Sequence, residues 1–496
     1  MSDDAGARDS GAGAADRLFE TRRAKLEHIE AVQGTAYPAR PPRTHSASKA
    51  VARVDDEPPP DVDVAGRLVG LRRMGGTSFA HLRDGSGEVQ LFLNRQALGA
   101  DAYRKALELL DVGDFVSAGG SLFRTRSGEP SVRVDRLQVA AKALRPLPAK
   151  WHGLRDPETR FRQRYLDILA NDEVRRRFEA RTAIVSALRR VLDTYGYLEV
   201  ETPTLQPIYG GGAAVPFVTS YAALNRDYYL RIADELYLKR LLVAGYERVY
   251  EICKNFRNEG IDSSHCPEFT MLECYQAFAD LGDMRDLAQQ LVAAAAEAAC
   301  GTTRVQVDDH VLDFTPPWRR LTYRDALLAG AGVDLEGDGS LSALNDAAEA
   351  NEVPVDPSWP RAKLLDELMK TLVEPTLVQP TLLERYPTET APLAKRCPDD
   401  PRYIERFEVF VNGMEMANAY TELNDPLEQR ARMEDQASAR HGDDATPVDE
   451  DFLLALEHGM PPAGGLGIGV DRLVMALAGV SNIREVILFP QLRDRS

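Results

Sequence analysis

Hydrophobic positions change their period several times along this chain. Over DRLFETRRAKLEHIEAVQ (16–33) the positions Leu18, Arg22, Leu26 and Ile29 keep helical spacing, and the pattern stops near Gly34. Residues 1–16 are polar and rich in small side chains, which predicts a disordered tail, and a Pro-rich linker that includes EPPPDVDV (57–64) completes 1–60. From 61 to 143 the runs VAGRLVGLRRM, TSFAHLRDGSGEVQLFLN and GDFVSAGGSLFRTRSGEPSVRVDRLQVAA alternate apolar and polar residues between turn signals. One helical insert, AYRKALELL (102–110), divides them. Some five short strands in about eighty residues predict a small barrel, with an OB-fold the economical choice. The stretch 144–170 reads as a hinge, and 171–496 as a larger α+β domain. That domain opens with a long helix at about 172–195, has a helical region at 280–300, and is mixed over 320–375.

One strand in that domain breaks the rule of apolar faces. In FRNEGIDSSHCPEFTMLECYQAF (256–278), Phe269, Met271, Glu273 and Tyr275 share a face, with Arg257 and Glu259 just upstream. Isolated buried carboxylates are costly, so such a strand is the wall of a polar site. Further on, GGLGIGVDR is a poor dinucleotide fingerprint because Arg472 stands where the third glycine belongs, and no GxxxxGK[ST] loop occurs. A nucleotide would therefore be held by charge and stacking. Arg257 and Arg472 suit that purpose as rigid cationic forks, the latter on the first turn of a helix.

Bulk properties narrow the classes. No apolar run is long enough to span a bilayer, the N-terminus lacks a signal-peptide core, and five cysteines occur without a CxxC pair. These features predict a cytoplasmic protein without a zinc site. The net charge of −17 is uneven: residues 61–150 hold fourteen basic against ten acidic side chains, leaving about −21 elsewhere. A mildly basic module on an acidic body is compatible with docking a polyanion through that module.

FRNEG with HCPEFTMLECY resembles motif 2 of the class II aminoacyl-tRNA synthetases (near 250–278). YLEVETPTL resembles motif 1 (near 190–205), and GLGIGVDRLVMAL motif 3 (near 464–478). With KALRPLPAKWHGLRDPETRFRQRYLDIL, LRIADELYLKRLLVAGYERVYEI, NAYTELNDP and REVILFP in order, residues 16–492 resemble the bacterial-type lysyl-tRNA synthetases. The resemblance implies an antiparallel-sheet catalytic domain behind an OB-fold anticodon-binding domain, in a homodimer. It implies ATP-dependent activation of L-lysine to the adenylate, then transfer to the 3′ end of tRNA(Lys) during protein biosynthesis.

It also implies residue roles. Arg257 bridges the amino-acid carboxylate and the ATP α-phosphate, Arg472 binds the γ-phosphate, Phe269 stacks beneath adenine, and Glu259 and His265 contact ATP. Glu408 and Glu415 hold Mg2+. Glu273 and Glu422 face the lysine ε-ammonium beside Tyr275 and Asn418, while Gly211 and Glu235 meet the α-amino group. Arg72, Phe79, Gln90 and Glu129 read the anticodon.

Taken singly, most of these residues have ordinary readings as core aromatics, surface ion pairs or loop glycines; the ordered motifs favour the catalytic ones. Three positions depart from the family pattern. Cys266 stands for the usual asparagine, Val215 for an arginine or lysine, and Ser264 for an arginine. These substitutions would weaken contacts on the ATP side without removing an essential charge. Aspartyl and asparaginyl synthetases share the layout, but their pocket needs a cation or an amide clamp where this chain offers two anions. Paralogues that modify an elongation factor lack the OB domain, and a catalytically silent binding protein would not need Arg257, Glu259, Arg472, Glu408 and Glu415 together.

Overall fold

The computed structural model describes residues 4–148, 154–212, 214–307, 309–356, 358–439 and 448–493, with side chains from Asp16 onward. The chain divides into two compact units, residues 1–153 and 154–496. The expected hinge straddles that division, and its residues 149–153 lie outside the described ones.

In the first unit, helix α1 spans Asp4–Gln33, so the backbone expected to be a disordered tail is helical from Asp4. Alanine, the best helix former, is frequent there, and a helix nucleated downstream propagates cheaply into such sequence. Of the face read from the sequence, Leu18 is 38% exposed, Leu26 is partly buried and Ile29 is only 1% exposed. Arg22 is buried and donates to the carbonyls of Val112, Ala143 and Arg145. Strands β1 (Asp61–Met74), β2 (Thr77–Asp84), β3 (Gly87–Asn94), β4 (Phe115–Arg124) and β5 (Pro130–Ala141) close into a barrel in the order β1-β2-β3-β5-β4. Inward positions alternate as a half-buried strand requires, with Val62, Val64, Leu82, Leu91 and Val132 in the core. Gly120 sits at a bulge with φ 148°, where a Cβ would lie 1.9 Å from the carbonyl oxygen of Arg133.

The second unit is built on eight strands: β6 (Leu198–Glu199), β7 (Arg248–Phe256), β8 (Glu268–Ala277), β9 (Arg319–Thr322), β10 (Thr381–Pro387), β11 (Tyr403–Val411), β12 (Met414–Thr421) and β13 (Ala463–Gly469). Their order is β9-β10-β11-β12-β13-β8-β7-β6, antiparallel throughout except for the parallel pairs at the two edges. One face is covered by helices α2 (Asp172–Thr194), α4 (Leu281–Cys300) and α6 (Val470–Ala478). Leu188, Leu291 and Leu473 pack there with Leu272, Ala419 and Ile468 of the sheet. The stretch that the sequence left mixed, 320–375, holds among its described residues helix α5 (Tyr323–Ala331), two further α-helices (341–350 and 361–368) and a short π-helical turn (369–373), around a core of its own. The former hinge region contributes Arg164, fully buried against Asp167 at 2.6 Å and donating to the carbonyl of Arg484.

Candidate active site

The opposite face of this sheet carries rows of polar side chains, and its register explains how. Directly opposed residues of antiparallel strands share a face. Glu273 of β8 stands opposite Gly467 of β13, which stands opposite Asn418 of β12 and, beyond it, Glu408 of β11. The next row runs Tyr275, Gly465, Tyr420, Arg406 by the same pairing. In these two rows the central strand contributes only glycines, and over Gly467 and Gly469 lies a cavity of about 440 Å³.

That cavity brings together Gly211, Arg257, Glu259, His265, Phe269, Glu415, Asn418 and Arg472 from segments far apart in the chain. Arg257 lies over the Phe269 ring at 5.1 Å, and its Nε is buried without a hydrogen-bond partner. A guanidinium at a cavity wall with a buried, unpartnered nitrogen suits an anionic ligand. Arg472 donates to the Glu415 backbone oxygen at 2.9 Å and its carboxylate at 3.2 Å, and reaches His265 Nε2 at 3.3 Å. The His265 tautomer follows: Nδ1–H donates to Asp262 at 2.9 Å, leaving Nε2 to accept. Burial works against the Asp262 charge, yet the amides of Ser264 and His265 and the His265 ring hold its carboxyl down at about 2. The start of α6 is fixed by Asp471, which accepts from the Thr270 amide at 2.7 Å and pairs with Arg181 of α2 at 2.6 Å.

A recess of about 160 Å³ adjoins, lined by Gly211, Glu235, Arg406 and Tyr420. Helix α3 (Glu235–Val243) runs beside it. Here the structure changes the expected picture of Glu273 and Glu422 as carboxylates awaiting a cation. Glu422 is fully buried and already paired: Lys239 of α3 places its ammonium 2.5 Å from Glu422 Oε2 and 2.6 Å from Glu235 Oε1, itself without exposure. Burial disfavours the lysine charge, but Glu235 and Glu422 more than offset it and raise its pKa. Burial first, then Glu235, push the Glu422 carboxyl up to about 8 against the opposing pull of Lys239. Glu273 accepts from the Tyr275 hydroxyl at 3.0 Å and is hydrogen-bonded to Asp234. Burial, then the neighbouring Asp234 and Glu235 charges, raise Glu273 well above the ordinary carboxylate range, so the two acids share a proton.

Glu408 is not part of the cavity wall. Tyr386 donates to one of its oxygens at 2.6 Å and Arg406 to the other. Burial and then the Glu415 charge push it up to about 7 against the pull of Arg406, and burial with Glu408 and Glu415 does the same to Glu374. Among the described residues no group of three His, Cys, Asp or Glu side chains could hold a metal unaided.

In the barrel, Arg72 of β1 stands opposite Phe79 of β2, which stands opposite Phe92 of β3, and the two rings meet at 5.3 Å. Phe123 extends the row at 5.5 Å, with Arg133 over it at 4.7 Å. Gln90 accepts from the Ser131 hydroxyl, which also donates to the backbone oxygen of exposed Glu129.

Two family descriptions match the chain: "tRNA synthetases class II (D, K and N)" over residues 156–493, and "OB-fold nucleic acid binding domain" over 62–140. A lysine–tRNA ligase of Chloroflexus aurantiacus is 49% identical over 97% of this chain and 99% of its own. Those of a Roseiflexus species and of Carboxydothermus hydrogenoformans are 50% and 45% identical over the same shares. The chain belongs to the lysine–tRNA ligases.

Within that family its three departures fall in distinct places. Cys266 and Ser264 line the cavity, whereas the Val215 side chain is exposed and its backbone oxygen accepts from the Asn258 amide. Lys239, Asp234, Arg406 and the Asp471–Arg181 pair were not singled out by sequence reasoning, and neither were Phe92, Phe123 and Arg133. Lys239 did leave a signal, a lysine in the apolar string LYLKRLLV four residues after Glu235. Its partner Glu422 is remote in sequence, and nothing local points to it.

Proposed function

We propose that this chain activates L-lysine with ATP, releasing pyrophosphate, and transfers the lysyl group to the 3′-terminal ribose hydroxyl of tRNA(Lys), in the cytoplasm and as a homodimer. The observation that carries the reading is the charge pattern of the buried recess. Four acids (Asp234, Glu235, Glu273 and Glu422) cluster beside it, with Glu235 in its lining; Asp234 and Glu273 share a proton, and Lys239 balances one remaining charge. Both Glu422 oxygens are buried without a well-aligned hydrogen bond, and Oε2 lies against the Lys239 ammonium. Once Glu422 ionises against the ligand, two negative charges are left over, which match the α- and ε-ammonium groups of lysine. A substrate carboxylate at the same spot would meet Lys239 already paired with two acids and Arg406 with Glu408; this disfavours aspartate and asparagine.

The residue roles we assign are those that the family resemblance implies. Glu422 and Glu273, with Tyr275 and Asn418, receive the ε-ammonium, and Glu235 and the Gly211 backbone the α-ammonium. Arg257, with a buried and unpartnered Nε, holds the lysine carboxylate against the α-phosphate; Phe269 stacks with adenine, and Glu259 and His265 contact the nucleotide. Arg472, at the first turn of α6, takes the γ-phosphate. The carboxylate oxygen then attacks phosphorus in line as the bond to the β-phosphate breaks, a reaction that asks for alignment and charge dispersal rather than a side-chain nucleophile.

The crowded carboxylates Glu408 and Glu415 fit Mg2+, a hard cation that takes oxygen ligands and completes its shell with phosphates and water. When bound, it would supply charge neutralisation on the triphosphate. In the barrel, Phe79 gives an unpaired anticodon base a stacking face, with Arg72, Gln90 and Glu129 at its edges.

Pyrophosphate exchange into ATP tests the reading, with lysine compared against aspartate, asparagine, arginine and ornithine. Exchange supported by lysine alone is expected. Equal exchange with aspartate or asparagine, or none with any amino acid, would overturn it.

A further inference from the structure

Lys239 has no part in the steps described so far, yet it is the best-enclosed cation of the recess. It lies one helical turn after Glu235 on α3, so both side chains leave the same face. Its ammonium touches Glu235 at 2.6 Å and Glu422 at 2.5 Å, and stands 6.0 Å from the centre of the Tyr275 ring. The two oxygens of Glu422 therefore differ. Oε2 is held by Lys239, while Oε1 lies on the cavity face of the glycine strand, where a Cβ on Gly465 would come within 2.0 Å of it. The titratable groups around Glu422 are Asp234, Glu235 and Lys239 beside or on α3, Glu273 and Tyr275 of β8, and Tyr420 of β12. Lys239 is the cation paired with Glu422, while Arg406, across Tyr420, is engaged by Glu408.

We propose that Lys239 is a positioning residue for the amino-acid substrate: without touching it, Lys239 clamps Glu422 through Oε2 and presents Oε1 to the incoming ammonium, against which it ionises. Without the clamp, an acid buried among other acids holds its proton more tightly and turns freely, and a carboxyl that stays neutral discriminates poorly between a cationic side chain and a neutral one. The enzyme thus builds its selectivity for a diamino acid with one fixed ammonium of its own. This inference rests on the assignment of Glu422 to the lysine side chain.

The test is lysine-dependent pyrophosphate exchange by the full-length wild type, Lys239→Met, Glu422→Gln and the double variant. Lys239→Met should raise the lysine KM about tenfold or more while the ATP KM stays within about twofold. The double variant should fall well short of the product of the two single effects, because Lys239 acts largely through Glu422. A parallel rise in both KM values, or full multiplication of the single effects, would mean a merely structural role and overturn the proposal. Should the methionine variant be recovered unfolded, Lys239→Gln, which keeps a donor, is read in the same way. A wild type indifferent to lysine, or a Glu422→Gln variant with unchanged lysine KM, would instead refute the pocket assignment itself.

Discussion

Gly465→Ala probes the lysine recess with a single methyl group. A Cβ at this position would lie 2.0 Å from Glu422 Oε1 and 2.5 Å from Cε1 of Tyr275. Non-bonded heavy atoms need roughly 3.5 Å, so the carboxylate and the ring would each have to retreat by about 1 Å or more. Neither is a loose side-chain end: Tyr275 is buried and bonded to Glu273, and Lys239 grips Glu422 from behind. Overpacking of this kind costs about 1–3 kcal/mol of stability. A displaced carboxylate also loses part of its pairing with the substrate ammonium, whose complete loss is worth about 2–5 kcal/mol. A partial loss of about 1.4–2.8 kcal/mol corresponds to a lysine KM raised roughly 10- to 100-fold. Exchange kinetics with lysine and ATP varied separately give the answer, and the ATP KM should stay within about twofold. If Gly465→Ala left the lysine KM unmoved, Glu422 Oε1 would not be the atom that meets the ammonium.

Lysine binding should also depend on pH. The Glu422 carboxyl sits at about 8 in the free recess, and an ammonium favours its ionised form, so binding expels a proton and the lysine KM should fall between pH 7 and 8.5. A flat profile would contradict this. The same shift is a stability term of defined sign: native Glu422 holds its proton up to about 8, whereas the unfolded chain releases it near 4.5, so its contribution, full below about 4.5, is lost progressively as pH rises from there to about 8. Glu415→Gln should raise the Mg2+ concentration needed for half-maximal exchange about tenfold, read by magnesium titration at fixed ATP. Phe79→Ala should weaken tRNA charging by about 1–3 kcal/mol of lost stacking while leaving exchange near normal, and a collapse of exchange would refute the division of labour between the units.

Much of the architecture was legible because it rests on local periodicity. Alternation placed the barrel strands, and the face shared by Phe269, Met271, Glu273 and Tyr275 is the one that borders the cavity. What escaped were relations set by distant pairing. The acid on β8 seemed to need a ligand to complete it, but its partner Asp234 comes from the start of α3, and Glu422 meets Lys239 from the same helix. A lysine four residues after a glutamate reads as a solvated helix pair; only the packing of α3 against the sheet makes it an interior charge. The aromatic row Phe79, Phe92 and Phe123 was likewise seen at one of its three members, because cross-strand neighbours are not neighbours in sequence.

The glycine strand at the centre of the sheet has an evolutionary consequence. Because β13 gives the trough a bare backbone floor, it has no side chain through which the choice of amino acid could be altered; any added atom fills the trough. Retuning must be written on the flanking walls, β8 and β12, where single substitutions change charge and reach without disturbing the hydrogen-bonded ladder beneath. A fold arranged in this way separates the part that must stay constant, a floor on which a ligand of any identity can lie, from the few positions free to vary. Such a scaffold is well suited to diversify into enzymes that share one chemistry and differ in the amino acid they accept.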